Sequence, residues 1–586
     1  MRHSTTVLGM LHDRGRRGVG VDDLYRQLYN PSLYLRAYAR LYAHPGAMTK
    51  GATDETVDAM SLNKIHQSIE LLKHERFQWT PVRRTYIAKK NGKLRPLGLP
   101  TWTDKLLQEV IRSLLEAYYE PTFSDTSHGF RPGRGCHTAL SQMQRTWTGT
   151  HWFLEGDIKA CFDQLDHTVM LNILAEKIHD NRFLRLIKEL LQAGYLEEWR
   201  YHCTLSGSPQ GGVVSPLLSN IYLDKLDHYI ETELLPSSTQ GEERQSNLAY
   251  KRLTQRAYVA RQKGEYQQAQ AMVRLAQMLP RGDPFDPTYR RLRYVRYADD
   301  ILFGFAGPKC EVEAIKSQLS QFLRETLKLE LSQEKTLITQ ATTQPARFLG
   351  YEITVFHRND QFGARKRRTL NGSVRLRIPA DVVERKRAQY KQGGKPLRRM
   401  TLAPRSDYTI LNTYQAEYRG LVQYYQLADN LRWLTRVHWD MQQSLLHTLA
   451  MKFRRSKMAM VRRYRSTTVT PQGTRVCLKV TQERKGKKPL VATFGGIPLK
   501  RKKEAILVDH PSVPIRYERK EVIKRLMAAT CELCGMREEN SVVHHVRKLA
   551  ELEHLGKERP YWAQVMLKRR RKTLIVCPSC HALIHS

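Results

Sequence analysis

Between residues 21 and 80 apolar side chains recur at steps of three or four, as at Leu24, Leu28, Leu33, Leu35 and Tyr38 and then Ile65, Ile69, Leu71 and Leu72, which predicts a helical leader. From Val82 to Tyr351 the pattern changes to short strand-like runs alternating with helices. TYIAKK precedes the turn pair Asn91-Gly92, a helix runs from Asp104 through Tyr119, and HWFLEGDI and YVRYADDILFGF follow, so an α+β body is expected. Residues 240–282 depart from it, being rich in Arg, Gln, Ala and Lys with a helical period and closing on Pro280, Pro284 and Pro287. They predict a helical insertion over roughly 235–290. Farther on, Tyr408, Leu411, Tyr414, Tyr418, Leu421, Tyr424, Tyr425, Leu427, Leu431 and Leu434 mark a small helical bundle whose tyrosines mostly form its core.

A chain of 586 residues exceeds what one hydrophobic core serves, and about three or four domains are expected. Its 97 Lys and Arg against 57 Asp and Glu leave a formal charge of +40, which calls for a polyanionic partner, nucleic acid first. Residues 361–520 hold 37 Lys or Arg and 10 Asp or Glu, so 27 of the 40 net charges lie there. Within that stretch 452–505 carries the clusters Arg454-Arg455, Arg462-Arg463 and Lys500 to Lys503 with few large apolar residues, and predicts a nucleic-acid-binding surface. No apolar run reaches the roughly 18 residues of a membrane span, and the N-terminus lacks an apolar secretion core, so an intracellular protein with no membrane partner is expected.

Two groups of residues carry candidate chemistry. Tyr297-Ala298-Asp299-Asp300 puts two carboxylates in the middle of an otherwise apolar hairpin sequence, and in FLEGDIKACFDQLD Asp157 ends an apolar strand. Neighbouring acids in such surroundings are costly unless a cation holds them. Phosphoryl transfer to a 3′ end uses two Mg2+ ions held by carboxylates, so Asp157, Asp299 and Asp300 are a candidate polymerase centre. Lys89 and Arg95 flank the Asn91-Gly92 turn and suit a triphosphate. Gln210 lies in a Pro-Gln-Gly-Gly loop whose glycines let the backbone approach a nucleotide, and Lys335 is a further nucleotide-binding candidate. Near the C-terminus Cys531-x-x-Cys534 and Cys577-x-x-Cys580 suit a structural tetrahedral Zn2+ better than disulfides. His544-His545 lies between these knuckles, and His581 and His585, four residues apart, share a helical face and form a second metal clamp.

Seven ordered segments resemble the reverse transcriptases encoded by group II introns. They are RPLGLPTWTDKLLQ (95–108), SHGFRPGRGCHTAL (127–140), GDIKACFDQLDH (156–167), SGSPQGGVVSPLLSNIYLDKLD (206–227), YVRYADD (294–300), LSQEKTLI (331–338) and FLGY (348–351). The resemblance implies a right-hand polymerase in which Asp157 and Asp299 ligate the Mg2+ ions, with Asp300 alongside and the Ile158 carbonyl as a further ligand. Phe162 would be an aromatic gate against the ribose 2′-hydroxyl of an incoming nucleotide. The tail resembles HNH nucleases of the ββα-metal fold, implying His544, His581 and His585 as ligands of one divalent ion, Mg2+ foremost, and His545 as general base. The position nine residues before His581, often Asn in that family, is Lys572 here. Arg569, Arg570 and Arg571 make RRRKTLIVC resemble the intron-encoded form of the domain.

The implied order is an N-terminal extension (1–80), fingers and palm (81–360), an α-helical thumb or maturase domain (361–450), a basic DNA-binding region (451–520) and a zinc-containing nuclease (521–586). The implied protein copies RNA into DNA from deoxynucleoside triphosphates, helps its intron RNA splice, and nicks target double-stranded DNA to prime that copying. It would work as a ribonucleoprotein in a bacterial cytoplasm, or else in an organelle. A splicing-only maturase and a non-intron reverse transcriptase are the alternatives. The three intact aspartates weigh against the first, and the thumb, basic arm and nuclease tail against the second.

Overall fold

The structure, a computed structural model, describes residues 2–586 apart from 89–91, 93, 205, 208–210, 284–285, 358–370, 485, 509–516 and 554–558. Helices Ser4–Arg16, Pro31–Leu41 and Leu62–Lys73 open the chain. Their periodic residues Leu33, Leu35, Tyr38, Ile65, Ile69 and Leu72 are buried, whereas Leu71 is exposed. Adjacent helical residues stand about 100° apart around the axis, so Leu71 and Leu72 cannot both face the core. Just before the third helix the chain forms a two-residue strand, β1 (Met60–Ser61).

β2 (Val82–Ala88) and β3 (Leu94–Leu99) form the expected antiparallel hairpin. Helix Trp102–Tyr119 follows, beginning where the Thr101 side chain accepts from the Asp104 N–H, and its residues are buried over most of its length. After β4 (Trp152–Asp157), the short strands β5 (Tyr195–Glu197) and β6 (Arg200–His202) extend the first hairpin into a sheet of order β3-β2-β5-β6. The insertion folds as two helices, Leu248–Gln262 and Tyr266–Gln277, packed on each other through small residues including Ala257, Ala260, Ala269 and Ala276. β7 (Arg291–Tyr297), β8 (Asp300–Ala306) and β9 (Leu337–Gln340) then join β4 in a sheet of order β7-β8-β4-β9. β8 is buried from Ile301 to Ala306, so its first residue, Asp300, is the point at which this strand meets water.

A second core begins with the antiparallel sheet β10 (Ala346–Phe348), β11 (Tyr351–Val355) and β12 (Val374–Arg377) and a ribbon of β13 (Lys391–Gln392) with β14 (Lys395–Pro396). Helices Asp407–Tyr424 and Leu434–Phe453 pack here, with Tyr414, Tyr418 and Tyr425 buried as the amphipathic pattern requires. The basic stretch that follows holds a three-stranded antiparallel sheet, β15 (Arg465–Thr470), β16 (Gly473–Arg484) and β17 (Lys487–Gly495). Its inner positions Leu478, Ala492 and Phe494 join the tyrosine core, Phe494 lying 6.2 Å from both the Tyr414 and Tyr418 rings. Basic charge on the outer face had masked an alternation with few but sufficient apolar positions.

The tail contributes β18 (Val542–His545), β19 (Thr573–Val576) and helix Pro578–His585. Its sheet has the order β1-β18-β19, so the leader supplies the third strand, Met60 opposite Val543 and Ser61 opposite Val542. Among the described residues no helix is long and apolar enough to cross a membrane.

Candidate active site and metal centres

Antiparallel pairing of β4 with β8 puts Asp157 directly opposite Asp300. The turn between β7 and β8 is Ala298-Asp299, with Ala298 at φ 56° in the left-handed region, and it brings Asp299 to the same edge. Burial pushes the Asp299 carboxyl above its ordinary range, opposed by a hydrogen bond from its own N–H and reinforced by Asp157. Asp300 is pushed up to about 6 by burial and then by Asp299 and Asp157. Three converging carboxylates are an oxygen-donor set of the kind hard divalent cations need.

Lys335 Nζ donates to Asp157 Oδ2 at 2.7 Å, so this candidate nucleotide ligand stands inside the carboxylate cluster as its counter-charge. Arg95, exposed on β3, also draws Asp299 toward ionisation. Ile158 is buried in a bridge to Leu331 closed by Lys159 N–H to Glu330 O and Ser332 N–H to Asp157 O. Its own carbonyl takes no part in those two bonds. Phe162 is half-buried and met edge-on by Phe130, ring centroids 6.4 Å apart. Lys89 and Gln210 lie outside the described residues.

What sets the turn is a buried network that sequence reading missed. Arg296, with no exposed surface, donates from Nε to Asp227 Oδ1 at 2.8 Å and from Nη1 to Asn220 Oδ1 at 3.1 Å and to the Ala298 carbonyl at 3.0 Å. Tyr294 OH donates to the same Asp227 oxygen at 2.8 Å. Gly129 packs on the other side, its carbonyl accepting from Asn220 Nδ2 at 2.8 Å, and a Cβ there would sit 2.4 Å from the Ala298 nitrogen. Arg296 lies in the YVRYADD run and Asp227 closes the SGSPQGGVVSPLLSNIYLDKLD segment, but nothing in their spacing announces that they pair.

In the tail the four Sγ atoms of Cys531, Cys534, Cys577 and Cys580 lie within 4.8 Å of one another. Cys534 and Cys577 are 3.9 Å apart, far too long for a disulfide. A tetrahedron of thiolates at the usual Zn–S distance has edges of about 3.8 Å, so the cluster has the dimensions for Zn2+. Burial works against the Cys531 thiolate, but backbone groups of Cys534, Cys577 and Leu533 outweigh it and bring the thiol down to about 6.

The histidines separate into two roles. His544 and His545 are consecutive on β18, so their side chains point to opposite faces. The ligand atoms of His544, His581 and His585 lie within 4.8 Å of one another together with a carboxylate oxygen of Asp58, a leader residue not foreseen from the sequence. His545 points away from them and is 5% exposed, with Nε2 2.9 Å from the Tyr38 hydroxyl and its backbone N–H donating to Asp58 Oδ1 at 2.7 Å. Burial depresses His545 to about 3, so the imidazole is neutral, as a base must be, but in this structure it is sealed from solvent.

Three families match successive parts of the chain: reverse transcriptase (RNA-dependent DNA polymerase) over 87–353, type II intron maturase over 379–491, and AI2M/AI1M-like HNH endonuclease over 531–581. The group II intron-encoded protein LtrA of Lactococcus lactis subsp. cremoris is 40% identical over 582 residues, covering 95% of this chain and 94% of LtrA. The chain belongs to the group II intron-encoded proteins. A 91 kDa protein in the cob intron of Schizosaccharomyces pombe is 32% identical over all of this chain and 73% of its own length. The mitochondrial nuclear intron maturase 2 of Arabidopsis thaliana is 24% identical over 41% of this chain and 36% of its own.

The intron-encoded protein therefore combines an RNA-directed DNA polymerase, a maturase and an HNH endonuclease, and intron RNA and other nucleic acids are its implied partners. The reverse transcriptase match implies the right-hand polymerase fold. In the intron protein the maturase match runs from helix Ala380–Ala388 into β17, spanning both the tyrosine bundle and most of the basic sheet. Asp58 is the functional candidate that sequence reading missed. A single acid in a loop between leader helices has no signal until β1 pairs with β18.

Proposed function

We propose that the carboxylate edge of the β7-β8-β4-β9 sheet copies intron RNA into DNA and that the histidine cluster of the tail nicks a DNA strand whose 3′ hydroxyl primes the copy during retrohoming. The observation that carries the first half is the register placing Asp157 opposite Asp300 with Asp299 in the adjoining turn. Mg2+ ions bound there would supply charge stabilisation to the attacking and leaving oxygens. Asp157, Asp299, Asp300 and the Ile158 carbonyl would hold them. Arg296 and Gly129 fix the turn, Lys335 balances charge until nucleotide arrives, and Phe162, braced by Phe130, crowds the position of a ribose 2′-hydroxyl. Lys89, Arg95 and Gln210 are assigned to the deoxynucleoside triphosphate by family resemblance, with the pull of Arg95 on Asp299 in support.

In the tail the four cysteines would hold a structural Zn2+, and His544, His581 and His585 would hold a catalytic dication. Mg2+ was the sequence-based expectation for the latter, but three imidazole nitrogens are a transition-metal donor set, and Zn2+ or Mn2+ fits better. His545 is the proposed base once freed from Tyr38. Target double-stranded DNA, recognised largely through base pairing by the intron RNA, is the nuclease substrate. The similarity to a bacterial protein supports work in the cytoplasm.

The test assays purified particles for cDNA synthesis and for DNA strand cleavage. Asp299→Ala should abolish copying and retain nicking, and His545→Ala should do the reverse. Copying that survives Asp299→Ala removes the polymerase assignment.

A further inference from the structure

We infer that Asp58 of the N-terminal leader is a fourth protein ligand of the histidine metal centre, and that this ligation clasps the nuclease onto the leader in a shut form. The inference rests on the three-histidine site proposed above and extends it to a residue outside the nuclease family match, which covers 531–581.

The geometry is that of ligands converging on an ion. Asp58 Oδ1 lies 3.2 Å from His544 Nδ1, and Asp58 Oδ2 lies 3.3 Å from His581 Nε2 and 2.9 Å from His585 Nε2. Nitrogen and oxygen donors held tetrahedrally at the usual Zn2+ distances stand about 3.3 Å apart. His544 Nδ1 and Nε2 and His581 Nε2 are buried without a hydrogen bond of ordinary geometry, and the shared Asp58 carboxylate is the polar group that faces His544 Nδ1 and His581 Nε2. Buried imidazole nitrogens are seldom left without a partner, and lone pairs that point at a shared space rather than at one another are what a cation resolves. Trp562 packs edge-on against His544, ring centroids 5.3 Å apart, and closes the apolar side of the cluster.

The leader is tied to this cluster by more than one carboxylate. Met60 and Ser61 pair with Val543 and Val542, Ala59 N–H donates to the Val543 carbonyl at 3.1 Å, and Asn63 Nδ2 donates to Asn540 Oδ1 at 2.8 Å. Asp58 is thus delivered to the metal position by a strand pairing, and the leader helix Pro31–Leu41 brings Tyr38 against His545.

A catalytic zinc site of this kind keeps one coordination position for water or substrate, whereas four protein ligands make a closed site. With Asp58 in place the DNA phosphate has no position on the ion, and with Tyr38 in place the base has no access to water. Cleavage then requires the tail to leave the leader, which would defer nicking until the particle has engaged its target.

The experiment uses the full-length protein and Zn2+ as the probe. After dialysis against a mild chelator the wild type should retain two zinc ions per chain by mass spectrometry, one at the cysteines and one at the histidines. Asp58→Ala and Asp58→Asn should release the second ion at least about tenfold faster. His581→Ala should also lose it; retention of two ions by His581→Ala would remove the histidine site itself, while loss in that variant alone would remove only the role of Asp58. At saturating Zn2+, Asp58→Asn and Tyr38→Phe should nick target DNA several-fold faster than wild type. Loss of nicking in Asp58→Asn under those conditions would overturn the clasp. Asn keeps the acceptor for the His545 backbone N–H, so an unchanged circular dichroism spectrum confirms that the fold survives, while faster amide exchange at Val543 in Asp58→Asn reports the loosened clasp.

Discussion

Asp104 occupies the first turn of helix Trp102–Tyr119 with 3% of its surface exposed. Its place near a helix N-terminus and the Thr80 N–H at 3.3 Å favour the charged form, but burial wins and pushes the carboxyl up to about 6. The sign follows from linkage. The folded value exceeds the unfolded value of about 3.9, so the associated stability is full below that pH and is lost as pH rises through about 6. Two units correspond to about 3 kcal/mol at most. Asp104→Asn removes the buried charge and keeps an acceptor for Thr80, so it should raise the melting temperature at pH 7.5 by an amount equivalent to about 1–3 kcal/mol, and by less than half as much at pH 4.5. A gain independent of pH would show that burial of this charge is not the cause. Asp104 was legible in the sequence only as a helix start; its cost depends on what covers it.

The hairpin of β7 and β8 was readable from its alternating apolar runs around YADD, and so was the strand that ends at Asp157. How the turn is held was not readable, because it depends on segments far apart in sequence. Gly129 has an ordinary backbone conformation, and its constraint is the approach of Ala298, which leaves no room for a Cβ. Gly129→Ala should therefore displace the turn that carries Asp299. The expected result is a fall of about tenfold or more in the cDNA synthesis rate, since misplacement by about 1 Å costs on the order of 100-fold. DNA nicking should change little, the tail being a separate centre. Undiminished copying by Gly129→Ala would mean the close packing is not what sets the turn. The same limit on local reading explains the β15-β16-β17 sheet: its basic outer face was evident, but the inward Leu478 and Phe494 became strand positions only against Tyr414 and Tyr418.

Over the whole molecule the +40 charge is an electrostatic footprint for polyanions, and 27 of those net charges lie in 361–520, the stretch that contains the maturase match at 379–491. Binding of intron RNA should fall log-linearly with salt; with 6–10 phosphates engaged, affinity drops by about 1000- to 100,000-fold between 50 and 200 mM KCl. A filter-binding slope shallower than about two phosphates' worth would show that charge is not the main attachment. The sequence by itself showed the candidate chemistry at each end of the chain, because motif spacing and residue type are local: three carboxylates on apolar strands, four cysteines in two knuckles, and a histidine doublet followed by two histidines four residues apart. It also suggested a helical leader, a mixed body and a basic second half, since helical and strand periods are read within a few turns. Only the tertiary structure decided that Arg296 and Asp227 brace the catalytic turn, that His545 is sealed by Tyr38, and that Asp58 meets the nuclease histidines. Each of these is a contact between residues far apart in sequence, created by burial and strand pairing, and no local pattern encodes it.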